Sequence, residues 1–392
     1  MSDFDTIYDR RKTNSLKWDV LKKDLPMWVA DMDFRTAPEI IDAIKEKADF
    51  GILGYGIIPD EWHQSIINWW KKRHDFQMES EWITFCTGVV PAISSIVRKL
   101  TTVGENILIQ TPVYNIFFNS IINNGRNVIE SPLQYIDGIY EVNFEELEKQ
   151  LSNPQTTLMI ICNPHNPVGK IWEKEILEKI GELCYKHHVL VISDEIHCDL
   201  TDPGYQYTPF ASVSEKCKDN SITCIAPTKS FNLAGLQTAA VVIPNENIRH
   251  KVVRGLNTDE IAEPNSFAIE GTIAAFTKGE AWLDDLRTYL LSNKMYAIDF
   301  ISKELPQVNV TFSHATYLLW INCNSLIGNS TEMCQFIREY NGLYLSEGSI
   351  YGKAGEGFVR MNIACPMELL KDGMKRFKDG VLAYEEWVLR KC

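Results

Sequence analysis

Short apolar, β-branched runs alternate with amphipathic stretches through the middle of the chain. ENILIQ (105–110), TTLMIIC (156–162), HVLVISD (188–194), SITCIAP (221–227) and LQTAAVVIP (236–244) have strand length and composition. Between the second and third, EKEILEKIGELCYKHH (173–188) repeats Ile176, Leu177, Ile180, Leu183 and Cys184 at helical spacing. Strand, helix, strand predicts a βαβ unit, and strands apolar on both faces predict a parallel sheet covered by helices on both sides. Beyond about residue 285 the pattern changes. A long helical stretch, AWLDDLRTYLLSNKMYAIDFISKEL (281–305), leads into shorter strands, NVTFS (309–313) and TYLLWIN (316–322). The expectation is an α/β chain in two lobes. Residues 49–285 form a large domain around a mostly parallel sheet. Residues 1–48 and 286–392 form a smaller α+β domain.

In an open α/β sheet, ligands bind outside the carboxyl ends of the strands, so the residues after each strand carry the chemistry. TTLMIIC is followed by NPHNPVGK (163–170), whose Pro and Asn residues predict a rigid turn. HVLVIS is followed by DEIHCDL (194–200). Asp194 fits a helix cap as well as an acid in the crevice. Asp194, Glu195, His197 and Asp199 lack a convincing ligand spacing, so no metal site is expected. SITCIAP is followed by TKSFNLAGLQ (228–237), which places Lys229 directly after an apolar strand. Burial there would lower its pKa and make it a nucleophilic amine. In TFCTGVVPAISSIV (84–97), a strand end, a Gly turn and Pro91 open a helix whose free N–H groups can cradle a phosphate.

Composition narrows the classes. The 392 residues exceed one comfortable core, and 45% hydrophobic with 23% charged residues is a globular composition. A net charge of −13 without a basic run repels polyanions, so neither nucleic acid nor an anionic membrane is expected as a partner. No run reaches the ~18–20 apolar residues of a membrane span. The charged N-terminus does not read as a secretory signal. Ten scattered cysteines without a C-x-x-C pair read as small apolar core residues in a reducing compartment, the cytoplasm.

A crevice lysine, an acid for a pyridinium nitrogen, an Asn for a phenolic oxygen and a phosphate-binding helix start together form the equipment for pyridoxal 5′-phosphate. The ordered phrases TGVVPAIS, TPVYNIFF, NPHNPVGK, DEIHCDL, APTKSFNLAG and VRMNIACP resemble the class I/II aminotransferase family of fold-type-I pyridoxal-phosphate enzymes. The likeness runs from MWVADMDF (27–34) to the C-terminal lobe. Within the family it is to the MalY/PatB-type C–S lyases, the cystathionine β-lyase branch.

The resemblance implies a catalytic set of Lys229, the Schiff-base lysine, Asp194, facing the ring nitrogen, and Tyr114, stacked on the ring. It implies that Asn166 bonds the phenolic oxygen, and that Gly88, Val89, Val90 and Thr228 bind the phosphate. Tyr55, in GILGYG, would reach the phosphate of a neighbouring subunit, which implies a homodimer with shared sites. Arg360, with Ala30 and Asn166 nearby, would bind the substrate carboxylate. Many relatives carry a Ser three residues before the lysine and an Arg eight after it, where this chain has Ala226 and Gln237. The HNPTG Thr is Val168. Glu195, His197 and Trp28 read as structural. The implied reaction is α,β-elimination from L-cystathionine or other cysteine S-conjugates, giving a thiol, pyruvate and ammonia. An aminotransferase is the alternative, and a regulatory contact surface a second role.

Overall fold

The computed structural model describes residues 3–20 and 24–391. Its centre is a seven-stranded sheet of β1 (Ile83–Cys86), β2 (Asn106–Ile109), β3 (Asn127–Glu130), β4 (Thr156–Cys162), β5 (Leu190–Asp194), β6 (Ser221–Ile225) and β7 (Ala239–Val242). Their spatial order is β1-β7-β6-β5-β4-β2-β3. All neighbours run parallel except β7, which is antiparallel to both β1 and β6. The central strands are buried on both faces, which is why they read as unbroken apolar runs.

Two strands begin later than their apolar runs, for one reason. His188 and Gln237 adopt left-handed backbone, φ 57° and 50°. That conformation breaks an extended ladder, so pairing starts at Leu190 and Ala239. NVTFS likewise contributes only Asn309–Val310. The edge strand β3 is polar and half-exposed, and its hydrophobic pattern gave no signal.

Helix α1 (Val89–Leu100) follows β1 and buries Ala92, Ile93, Ile96 and Val97 against the sheet. Helix α2 (Lys174–Lys186) links β4 to β5 and buries Leu177, Ile180 and Cys184 on the opposite face. The 281–305 stretch is one helix, Glu280–Glu304. Beyond it, Asn309–Val310, Leu318–Asn322, Phe358–Asn362 and Ser346–Glu347 form a four-stranded antiparallel sheet. The helix Met367–Lys391 packs on Glu280–Glu304 and on Ser330–Asn341.

The N-terminal segment divides its contacts. Leu25–Pro26 pairs in parallel with Leu343–Tyr344, next to the C-terminal sheet. Helix Pro38–Phe50 packs instead on Ala268–Lys278, which also contacts Asp60–His74. No helix among the described residues is long and apolar enough to cross a membrane.

Candidate active site

A cavity of about 280 Å³ opens at the carboxyl ends of the central strands. Ala30, Gly88, Val89, Val90, Tyr114, Asn166, Asp194, Thr228 and Lys229 all line it. These come from six separate stretches of chain. The adjacent strand ends explain the convergence, because Cys162, Asp194 and Cys224 are in register across β4, β5 and β6.

Asp194 ends β5 and is 3% exposed. Among the described residues, one hydrogen bond reaches its carboxylate, from the Ile196 N–H at 3.1 Å. Burial pushes its pKa up to about 7, against the smaller lowering effects of that N–H and of Lys229. Lys229 follows β6, and its Nζ donates to the Ala30 carbonyl at 2.6 Å. Burial lowers its pKa to about 8; Arg360 adds to the lowering, while Asp31 and Asp194 oppose it. About a tenth of the amine is thus neutral at pH 7, far more than for an ordinary lysine.

Helix α1 supplies a third element. Asn143, Asn245 and Asn329 cap the helices that follow them, but Gly88 offers no side chain to the head of α1. Val89 and Val90 are first-turn residues whose amides have no intrahelical acceptor, and both line the cavity, which suits them to cradle an anion. Thr228 and Thr87 bring hydroxyls to the same cavity. Tyr114 is half-buried, and burial raises its pKa to about 12, so it stays protonated.

Asn166 lies in the turn after β4. Its N–H donates to Cys162 Sγ at 3.4 Å. The turn is closed by Gly169, with φ +70°, where a Cβ would lie 2.7 Å from the Ala315 carbonyl. Only glycine permits that approach, which docks the turn against the C-terminal lobe. Arg360, on strand Phe358–Asn362, is 5% exposed. Its Nη1 donates to Asn166 Oδ1 at 3.2 Å, and its Nη2 to the Trp28 carbonyl at 2.8 Å. Nε has no partner, and no ion pair of Arg360 occurs among the described residues. A buried guanidinium in that state is a receptor for a carboxylate.

Tyr55 is not at this cavity. It lies fully exposed in the irregular stretch 51–59, beside exposed Ile52, Leu53 and Ile57. Six other lining residues were given no site role by the sequence reading: Thr87, Cys162, Ile196, His197, Ala234 and Thr238. His197 read as structural, yet it sits in the wall with Nδ1 unpartnered, held neutral by burial and by Lys229 and Arg360. Its position three residues after Asp194 was the available signal.

The chain's residues 23–377 match the family model for aminotransferase class I and II. The chain belongs to that family. It is 42% identical to cystathionine beta-lyase PatB of Bacillus subtilis (strain 168), over 96% of this chain and 99% of that protein. It is 31% identical to protein MalY of Escherichia coli K12, over 98% and 100%. The crystal structure of cystalysin from Treponema denticola, which contains pyridoxal 5′-phosphate, superimposes with a TM-score of 0.95 at 32% identity, covering 98% of this chain and 100% of that one.

The cavity fits pyridoxal phosphate on its own terms. An under-bonded buried carboxylate suits a protonated ring nitrogen, an uncapped helix head suits a phosphate, and a lysine of lowered pKa suits an aldehyde.

Proposed function

We propose that this chain is a pyridoxal-phosphate-dependent C–S β-lyase acting on L-cystathionine and related cysteine S-conjugates. The observation that carries the reading is the presence of Lys229 and under-bonded Asp194 in one cavity wall, with carboxylate-free Arg360 bonded to Asn166 of that wall. The identity with PatB over nearly the whole chain favours elimination over amino transfer.

Pyridoxal phosphate, when bound, supplies an electron sink for negative charge at the substrate Cα. The Val89 and Val90 amides and the Thr228 hydroxyl would hold its phosphate, Asp194 would partner its ring nitrogen, Asn166 its phenolic oxygen, and Tyr114 would support its ring. Arg360 grips the substrate carboxylate in a bidentate fork. Lys229, its amine released, takes the proton from Cα as general base. The Cβ–S bond then breaks, the sulfur leaves with the bonding electrons as a thiolate, and hydrolysis of the remainder gives pyruvate and ammonia.

Two features support a homodimer in which Tyr55 reaches the neighbouring site: its complete exposure and the apolar residues around it. The division into 49–285 and 1–48 with 286–392 is part of the same proposal, with helix Pro38–Phe50 bridging the two through Ala268–Lys278. Nine described cysteines, all buried and free, suit a reducing cytoplasm.

The deciding experiment supplies L-cystathionine with no keto-acid acceptor. The expected result is thiol, pyruvate and ammonia over many turnovers. An aminotransferase would stop after one turnover until a 2-oxo acid was added, and activity of that kind with no thiol from any cysteine thioether would overturn the lyase reading.

A further inference from the structure

Residues Trp28–Phe34 form no regular structure, yet side chains hold six of their seven carbonyls. The Trp28 carbonyl accepts from Arg360 (2.8 Å) and from Ser346 Oγ (2.9 Å). The Val29 and Asp31 carbonyls accept from Asn362 Nδ2 at 2.6 and 2.8 Å. The Ala30 carbonyl accepts from Lys229. Asn232 takes the Met32 N–H at 3.2 Å and gives its amide to the Met32 and Phe34 carbonyls at 3.1 and 2.8 Å. From the far side, Arg10 grips the Asp31 carboxylate with both terminal nitrogens at 2.9 Å and the Met32 carbonyl at 2.8 Å.

Two of these anchors sit beside functional residues. Asn232 is three residues after Lys229 in the same loop, and Asn362 is two after Arg360. Asn232 also holds a left-handed backbone, φ 55°, which Asn tolerates better than most residues. A short polar side chain therefore fastens the lysine's loop directly to the segment that supplies the lysine's acceptor.

We propose that Asn232 is a positioning residue for proton transfer by Lys229, acting by fixing the Ala30 carbonyl against the released amine. A lysine side chain has four rotatable carbons, so a free amine must be held to reach one proton. One N–H given to the Ala30 carbonyl tethers the amine at the cavity wall. When the amine takes the proton, the same carbonyl and the nearby Asp31 charge stabilise the ammonium. The other groups facing Lys229 are Arg360 and Asp194, of opposite sign, and neutral His197. The proposal rests on the lyase reading above.

The test uses the holoenzyme of Asn232→Gly, which keeps the left-handed backbone and removes only the side chain. The expected outcome is a ~10- to 100-fold fall in kcat at little-changed KM for L-cystathionine, the scale of a misplaced catalytic group. The limb of the kcat–pH profile that reports the lysine should shift, with cofactor still fixed to Lys229 by borohydride. Arg10→Ala, at the opposite anchor, should give the same signature, and Arg10→Lys should restore part of it. Unchanged kcat and pH limb in Asn232→Gly overturn the proposal. So does a fall in kcat that merely tracks lost cofactor or lost folded protein. Failure of the lyase reading shows separately, as absence of thiol release by the parent enzyme.

Discussion

The turn after β5 has two sides that differ in how their buried polar groups are satisfied. On the cavity side, Asp194 receives one hydrogen bond and His197 leaves a nitrogen unpartnered. On the other side, Glu195 accepts from Ser193 Oγ (2.8 Å), the Phe210 N–H (2.8 Å) and Tyr207 (3.0 Å). Asp199 meets His74 at 2.9 Å, the Trp69 indole at 3.1 Å and Ser230 at 3.4 Å. His74 and Asp199, with Cys198, also form the one group among the described residues that could hold a metal ion. Yet the His74–Asp199 contact already satisfies both groups, and no metal role is assigned to it. Folding tolerates a buried carboxylate readily when donors surround it, and at some cost when they do not. The under-bonded side is therefore where a ligand completes the structure, and the fully bonded side is architecture.

This contrast can be broken by substitution. Lys229→Ala should abolish lyase activity, and borohydride should no longer fix pyridoxal phosphate to the chain; labelling of another lysine in the parent would refute its role. Asp194→Asn should lower kcat and kcat/KM together by ~10²-fold or more, as expected when an electrostatic partner of the transition state is lost. Near-normal turnover would reduce Asp194 to a turn residue. Arg360→Ala should act on KM instead, raising it roughly 10- to 100-fold, because its carboxylate contact is already made in the ground state.

Glu195→Ala should behave as architecture. It strands the Ser193, Phe210 and Tyr207 donors, so a loss of about 3 kcal/mol in unfolding free energy is expected. Denaturant titration measures this, and an unaltered midpoint would erase the distinction between the two sides.

The smallest effects are in pH. Asp194 holds its proton up to about 7 in the fold but ionises near 4 in an unfolded chain. Its folded pKa is raised, so the cofactor-free protein should lose stability as pH climbs from about 4 to 7. Burial raises Glu195 to about 7 as well, so Asp194→Asn should remove only part of that loss, seen as a higher melting temperature of the cofactor-free variant above neutrality. Lys229 must be neutral to attack an aldehyde, so recombination with pyridoxal phosphate should quicken as pH rises and level off above about 8. Arg360→Ala removes a lowering influence and should move that midpoint upward.

Much of this was legible in the chain because the relevant signals are local. Five apolar runs located five of the seven central strands, and five cavity residues, Tyr114, Asn166, Asp194, Thr228 and Lys229, stand at or just beyond their ends, whereas Ala30, Gly88, Val89 and Val90 do not. Strand composition and the residue after a strand end are short-range properties. The antiparallel course of β7 was not legible, since pairing direction depends on the connection and not on the run itself. Nor was the late start of β5 and β7, which turns on single left-handed residues.

What the tertiary structure alone decided is the partnering of each polar group. Asp194 and Glu195 are adjacent and chemically alike in sequence, and nothing in their order says which will be short of donors. That difference comes from Tyr207 and Phe210, packed against one side of the turn, and from the cavity on the other. Asn232 is equally silent as a residue type; its importance comes from contacts with carbonyls 198 and 200 positions away. Hydrogen-bond satisfaction is set by which distant segments meet, so it is a property of the fold, while the residues able to take part are a property of the sequence.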